Sequence, residues 1–279
     1  MIGTIDNLIN LLGEFFQKKE ILNLIKEVGE ISGLLWERGW AERNAGNFSI
    51  NISEHYTKKE LEALSSHPFF PLQTPYPALS GQLLLVSGAG TRMRRIARHP
   101  AANVCFLYMN ETGAAYHIVS VERGEIPVKP TSELATHLAI HQALRQKNRP
   151  EKALLHAHVT ELIAITQLPG FDNEERLNEI LFRMHPEAAS YVSGTVGYVG
   201  YQLPGTEKLA RVTAKTMADR RVVLWEKHGC LAVNKTLAEA FDDLDLLAKS
   251  TRIYFLCKST GIEPQGLTPA QIEEIRNQE

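Results

Sequence analysis

The stretch EKALLHAHVTEL, residues 151–162, decides how the chain is read. Its centre, Ala153 to Val159, is a short apolar run that reads as a β-strand. On a strand, residues two apart point to the same face, so His156 and His158 stand side by side. Two imidazoles aimed together suit a metal ion, and they also suit an ordinary strand with two histidines. A third candidate lies about 70 residues on, at His228 in VVLWEKHGCLAV, after another apolar strand and before Gly229, which reads as a turn position. Three imidazoles around one ion leave coordination positions open for a substrate. With ten histidines in the chain, the spacing alone does not decide between the readings.

Around that strand, helical and strand patterns alternate. Apolar positions recur with helical spacing over residues 5–38, as two helices. NAGNFSINI (44–52) reads as a turn opening into a strand, and QLLLVSG (82–88) and NVCFLYMN (103–110) as strands. AAYHIVS (114–120) follows across a Glu111-Thr112-Gly113 turn, the pattern of a hairpin. SELATHLAIHQALRQK (132–147) is an amphipathic helix, with Thr131 or Ser132 expected to cap it. Further helices are expected at 174–184 and from Thr206, and strands near 196–200 and 222–226. A long final helix begins at Thr236, where Thr236 and Glu239 form a capping box. Residues 53–81 are polar, carry Pro68, Pro71, Pro75 and Pro77, and read as an irregular insertion. The expected fold class is α/β: a single three-layer α/β/α domain, residues 1–279, around a mixed, largely antiparallel sheet.

Composition narrows the function. The chain has 279 residues, 44% of them hydrophobic and 22% charged, an ordinary globular balance. The formal net charge of −2 offers no basic field for nucleic acid. Three scattered cysteines argue against a disulfide framework and for a reducing compartment. Asp6 and Glu14 interrupt the first apolar segment, which makes a poor signal peptide. No run of about 18 apolar residues suggests a membrane span. The expectation is a cytoplasmic protein that binds neither membrane nor nucleic acid.

Other clusters have competing readings. His137 and His141 have the i, i+4 spacing of zinc proteases, but Leu138 stands where their glutamate is required, so local hydrogen bonding on a helix face is expected. Gly88 and Gly90 follow a strand as in dinucleotide-binding loops, yet Met93 occupies the third glycine position. A turn presenting backbone amides to a small anion is the remaining functional reading there. In KPTSEL (129–134), hydroxyls at a helix N-terminus suit a phosphate, and Glu133 suits the helix dipole.

ERNAGNFSI, VSGAG, PTSELATH, LLHAHVT, LPGTEKLA and KHGCLAV occur in this order, and together they resemble the class II sugar-phosphate aldolases of the aldolase/epimerase family. The resemblance covers residues 20 to 260. It implies one Zn2+ per subunit held by His156, His158 and His228, and a catalytic role for Glu133. It implies phosphate binding by Asn44, Asn47, Ser87, Gly88, Thr131 and Ser132. Glu187 falls where some members carry a glutamate that reaches a neighbouring subunit's zinc site, which implies a homotetramer with active sites at subunit interfaces. The expected reaction is cleavage of a ketose 1-phosphate. The family's alternatives are an epimerase or dehydratase, and a non-catalytic adducin-like interaction domain. One departure stands out: Ala89 replaces a second hydroxyl residue of the phosphate loop.

Overall fold

The computed structural model describes residues 15, 17–62, 64, 69–119, 128–192 and 194–277. The first helix expected at residues 5–15 lies almost wholly outside them. The second is α1, Lys19–Glu37, which buries Ile21, Ile25, Val28, Ile31 and Leu35 on one face. Strand β1, Asn47–Asn51, follows the NAGN turn. Residues 53–81 hold a short helix α2, Lys58–Glu62, and a two-residue strand β2, Phe70–Pro71. Then come β3, Leu83–Ser87, a short α3, Met93–Ile96, and the hairpin of β4, Val104–Met109, with β5, Ala115–Val119. Helix α4 spans Leu134–Gln146, β6 Ala153–Ala157, and α5 Thr160–Ile165. Helices α6, Glu174–Arg183, and α7, Pro186–Tyr191, precede β7, Gly197–Val199. Helix α8, Glu207–Met217, is capped by Thr206 as expected. Strands β8, Val222–Trp225, and β9, Gly229–Asn234, lead into α9, Leu237–Lys258, whose Thr236–Glu239 capping box is formed. Helix α10, Pro269–Arg276, ends the described chain.

Among the described residues the strands form one sheet in the order β2-β5-β4-β3-β1-β6-β9-β8-β7. Every pairing is antiparallel except β7 with β8. Helices cover both faces, which makes the three layers. Period-two alternation sorts the side chains between them. Leu83, Leu85, Phe106, Leu155 and Ala232 join α1 and α9 in the larger core. On the other face Leu154, Val223, Leu231 and Val233 pack with Ile140 of α4 and Leu209 of α8. Leu84, Val86 and Leu107 pack there with Leu138 of α4. The central strands are therefore apolar on both faces, as doubly covered strands must be.

β1 is the exception. Phe48, Ile50 and Ile52 enter the larger core, so the alternate residues Asn47, Ser49 and Asn51 face the other way, towards α4. Asn47 pairs directly across from His156. A polar strand face thus lies beside the histidine strand at the middle of the sheet.

Candidate metal centre

His156 is the penultimate residue of β6, and His158 leaves the strand with its N–H held by the Trp40 carbonyl. His228 comes from the β8–β9 turn. The left-handed residue of that turn is Lys227, at φ 59°, and not Gly229, which begins β9. Gly229 is needed for a different reason. A Cβ there would lie 2.6 Å from the Ala157 carbonyl oxygen and 3.0 and 3.1 Å from ring carbons of His156 and His158. The absence of a side chain lets the two histidine-bearing segments close on each other.

The three histidines present ring nitrogens that all lie within 4.8 Å of one another. For His156 and His158, outer partners fix which nitrogen is free. His156 Nδ1 donates to the Cys230 carbonyl at 2.9 Å, and His158 Nδ1 to the Glu42 carboxylate at 2.6 Å. Each bond places the proton on Nδ1 and leaves the Nε2 lone pair free, the arrangement common to metal-ligating histidines. Trp225 stacks on His228 with ring centroids 4.9 Å apart and packs against His156 at 4.8 Å. Burial, with the neighbouring His158, pushes His156 down to about 3, and burial also lowers His228. Rings that stay neutral near pH 7 are ready to ligate. The donor set therefore fits a divalent ion of the zinc type.

Glu133 stands beside this cluster, buried. Its Oε2 is 3.6 Å from His156 Nε2 and its Oε1 is 4.0 Å from His228 Nε2. The helix-capping expectation needs correction here. Helix α4 begins at Leu134, so neither Thr131 nor Ser132 is its cap: Glu133 itself occupies that position, with no side-chain capping bond. The Thr131 hydroxyl accepts the Glu133 N–H at 3.3 Å. The Glu133 carboxylate is thereby released from the helix end and directed into the histidine cluster.

The phosphate candidates divide. The segment before α4 is stitched to the β3 turn: the Thr131 N–H donates to the Ser87 carbonyl, the Ala89 N–H to the Lys129 carbonyl, and Gly88 bridges Pro130. Ser87, Gly88 and Thr131 are thus brought together. The buried Ser87 hydroxyl accepts the Phe48 N–H at 3.1 Å and keeps its own proton to donate. Ala89's amide is already engaged by Lys129. Ser132 is exposed next to this group, and Asn44 is exposed on the turn before β1. Asn47 is buried and engaged at both ends, donating from Nδ2 to Glu133 at 2.9 Å and meeting His137 through Oδ1 at 2.5 Å.

The local hydrogen bonding expected of His137 and His141 on a helix face is replaced by bonds across to β1. Both are buried, and both bond Ser49 on β1. The apolar residues flanking them send α4 onto the sheet and carry the histidines with it. Glu187 stands in the first turn of α7 behind Pro186, with its carboxylate 2.6 Å from His185 Nδ1. Its side chain is 57% exposed, and no bond joins it to the cluster of its own chain. Glu42 opens the motif ERNAGNFSI, and its role comes from the fold, which brings it to His158, 116 residues on.

A layered fold holding a three-histidine centre with an adjacent buried carboxylate is built for metal-assisted proton transfer on a small substrate. The family model of the Class II Aldolase and Adducin N-terminal domain matches residues 26–255, and the chain belongs to this family. It is 38% identical over 253 residues to a protein of Bacteroides thetaiotaomicron named rhamnulose-1-phosphate aldolase, covering 90% of this chain and 92% of the relative. A Listeria welshimeri protein of the same name is 32% identical, covering 82% of each chain. Among solved structures, a sugar-phosphate aldolase from Thermotoga maritima is 27% identical with a TM-score of 0.71, covering 88% of this chain and all of that one. No helix of the described residues is long and apolar enough to cross a membrane.

Proposed function

We propose that this chain, a lyase of L-rhamnose breakdown, cleaves L-rhamnulose 1-phosphate to dihydroxyacetone phosphate and L-lactaldehyde. One observation carries the proposal: a buried carboxylate, Glu133, lies 3.6 Å from a ring nitrogen of a three-histidine cluster, in which the outer bonds of His156 and His158 leave their Nε2 lone pairs free. The names of the similar proteins supply the substrate.

In this reading the bond between C3 and C4 of the ketose breaks. The C4 hydroxyl gives up its proton to a carboxylate beside it, for which Glu187 of a neighbouring copy is the candidate, and becomes the aldehyde, while the electron pair remains on C3. A zinc ion held by His156, His158 and His228 would supply the positive charge that stabilises this pair through the neighbouring oxygens. Glu133 moves the proton at C3, a role supported by its burial beside the cluster, 3.6 Å from His156 Nε2. Thr131, Ser87 and the Gly88 turn, with the exposed Ser132 and Asn44, anchor the phosphate and so orient the C3–C4 bond. Glu187 of the partner subunit, in a homotetramer, would stand near the C4 oxygen. The exposure of Glu187, away from its own chain's cluster, supports this. The family also holds the adducin-type domain, for which no metal centre is needed; the intact cluster with Glu133 favours the enzyme.

The test is a coupled assay on three phosphorylated ketoses: rhamnulose 1-phosphate, fuculose 1-phosphate and ribulose 5-phosphate. Rhamnulose 1-phosphate is expected to give the highest kcat/KM and to release dihydroxyacetone phosphate. Faster turnover of either other sugar, or epimerisation without cleavage, overturns the reading.

A further inference from the structure

The reaction as written has no use for His137, His141 or Ser49, yet all three are buried and joined to Glu133. The direction of each bond follows from donor and acceptor chemistry. A carboxylate only accepts, so the group that Asn47 turns to Glu133 must be its Nδ2. That leaves the amide oxygen, also acceptor-only, facing His137 Nε2 at 2.5 Å, so this nitrogen carries a proton. Burial drives the His137 ring well below its ordinary range, hence neutral, and its Nδ1 must then accept. The donor is Ser49 Oγ, 2.6 Å away. With its one proton used, the hydroxyl accepts from His141 Nε2 at 2.8 Å. Every hydrogen along His141, Ser49, His137, Asn47 therefore points towards Glu133.

We propose that His137, set by Ser49 and His141, is a positioning residue that locks the Asn47 amide in the orientation presenting Nδ2 to the Glu133 carboxylate. The proposal rests on the reading of Glu133 as the proton carrier. Without the lock, the Asn47 amide can turn over, which sets its oxygen against the carboxylate, acceptor to acceptor. The chain is not a proton route. His141 borders a cavity of about 740 Å³ at the other end of β1, but an amide stands between His137 and Glu133 and does not pass protons on in its ordinary form.

The experiment compares His137→Phe, which keeps bulk and removes both bonds, with His137→Gln, whose side-chain nitrogen can replace Nε2. The Phe variant is expected to lower kcat about 10–100-fold, the range for outer partners of a site, with KM and bound metal within about threefold of wild type. The Gln variant is expected to recover at least about tenfold of that loss. A merely structural role predicts equal losses in both, tracking their melting temperatures, and would overturn the proposal. Should the Phe variant not fold, Ser49→Ala removes a single oxygen and carries the same expectation for kcat. Independently of activity, nitrogen NMR of histidine-labelled protein is expected to show His137 and His141 as neutral Nε2–H tautomers. A His137 Nδ1–H tautomer, or wild-type kcat in the folded Phe or Ser49→Ala variant, refutes the lock. Wild-type kcat in Glu133→Gln would instead refute the Glu133 reading and leave the tautomer result standing.

Discussion

Replacing Gly229 with alanine adds one carbon at the point where the metal-binding segments meet. That carbon would lie 2.6 Å from the Ala157 carbonyl oxygen, 3.0 Å from His156 Cε1 and 3.1 Å from His158 Cδ2. The worst contact is with backbone, so no rotamer change relieves it. The start of β9 must back away from β6 by most of an ångström, in a ladder where Ala157 pairs with the adjacent Cys230. Overpacking of this kind costs about 1–3 kcal/mol. In a domain of this size each kcal/mol lowers Tm by about 2–4 °C, so a fall of roughly 2–12 °C is expected for metal-free protein. Ligand distances in a metal site tolerate only about 0.2 Å, so a displaced His156 or His158 also weakens the ion. At least about a tenfold loss of affinity is expected, equal to about 1.4 kcal/mol. The assay pairs thermal unfolding in excess chelator with a competition titration against a chromophoric chelator. Unchanged metal affinity together with a metal-free Tm within about 1 °C of wild type would refute the packing argument.

Glu42→Gln should lower metal affinity about 10–100-fold, read by the same competition titration, while Tm without metal stays put because Glu42 is exposed. Glu133→Gln should keep its bound metal by elemental analysis and lose about 10²–10⁴-fold in kcat. If Glu187 acts in trans, tetramers re-formed from a mixture of Glu133→Gln and Glu187→Gln chains should regain part of the activity that each lacks alone; no recovery on mixing excludes it. Asp243 offers a pH test away from the site: burial pushes its carboxyl up to about 6 from an ordinary 3.8, against partial relief from Arg221 and Asn234. Folding therefore favours the protonated form, so this group's contribution is full below about pH 4. It falls by up to about 3 kcal/mol as pH rises to 6 and is flat above. Urea titrations from pH 4 to 7 should show this slope in wild type and not in Asp243→Asn.

Much of this was legible before any coordinates. Leu83 to Ser87 and Val104 to Met109 announce themselves as strands because both faces are covered, which makes them apolar throughout. The same-side placement of His156 and His158 needs only the strand period. Thr206 and Thr236 cap their helices where the residues say they should, because capping is a local interaction. Strand β9 is harder: GCLAVN is too short to separate strand from helix, although β8, a three-residue turn away, and the remote β6 both pair with it. The start of α4 was misplaced by two residues because three candidate caps, Thr131, Ser132 and Glu133, stand in a row, and tertiary bonding to the β3 turn picks among them. The roles of Glu42, Ser49, His137 and His141 were out of reach for the same reason. Each is defined by a partner 88 to 116 residues away, as in Ser49 with His137 and Glu42 with His158.

The polar seam between β1 and α4 also limits how such a protein can change. Removing any one of Asn47, Ser49, His137 or His141 strands a buried neighbour without its bond, and an unpaired buried polar group costs about 1–3 kcal/mol. Replacing all four together with Glu133, whose buried carboxylate accepts from Asn47, by apolar residues of matching shape would leave no orphan in the seam. The two sequences are separated by a valley whose intermediate steps are all worse than either end. Substitutions here are therefore strongly epistatic, and descent from a common ancestor by single changes would tend to keep the set whole or find it already gone.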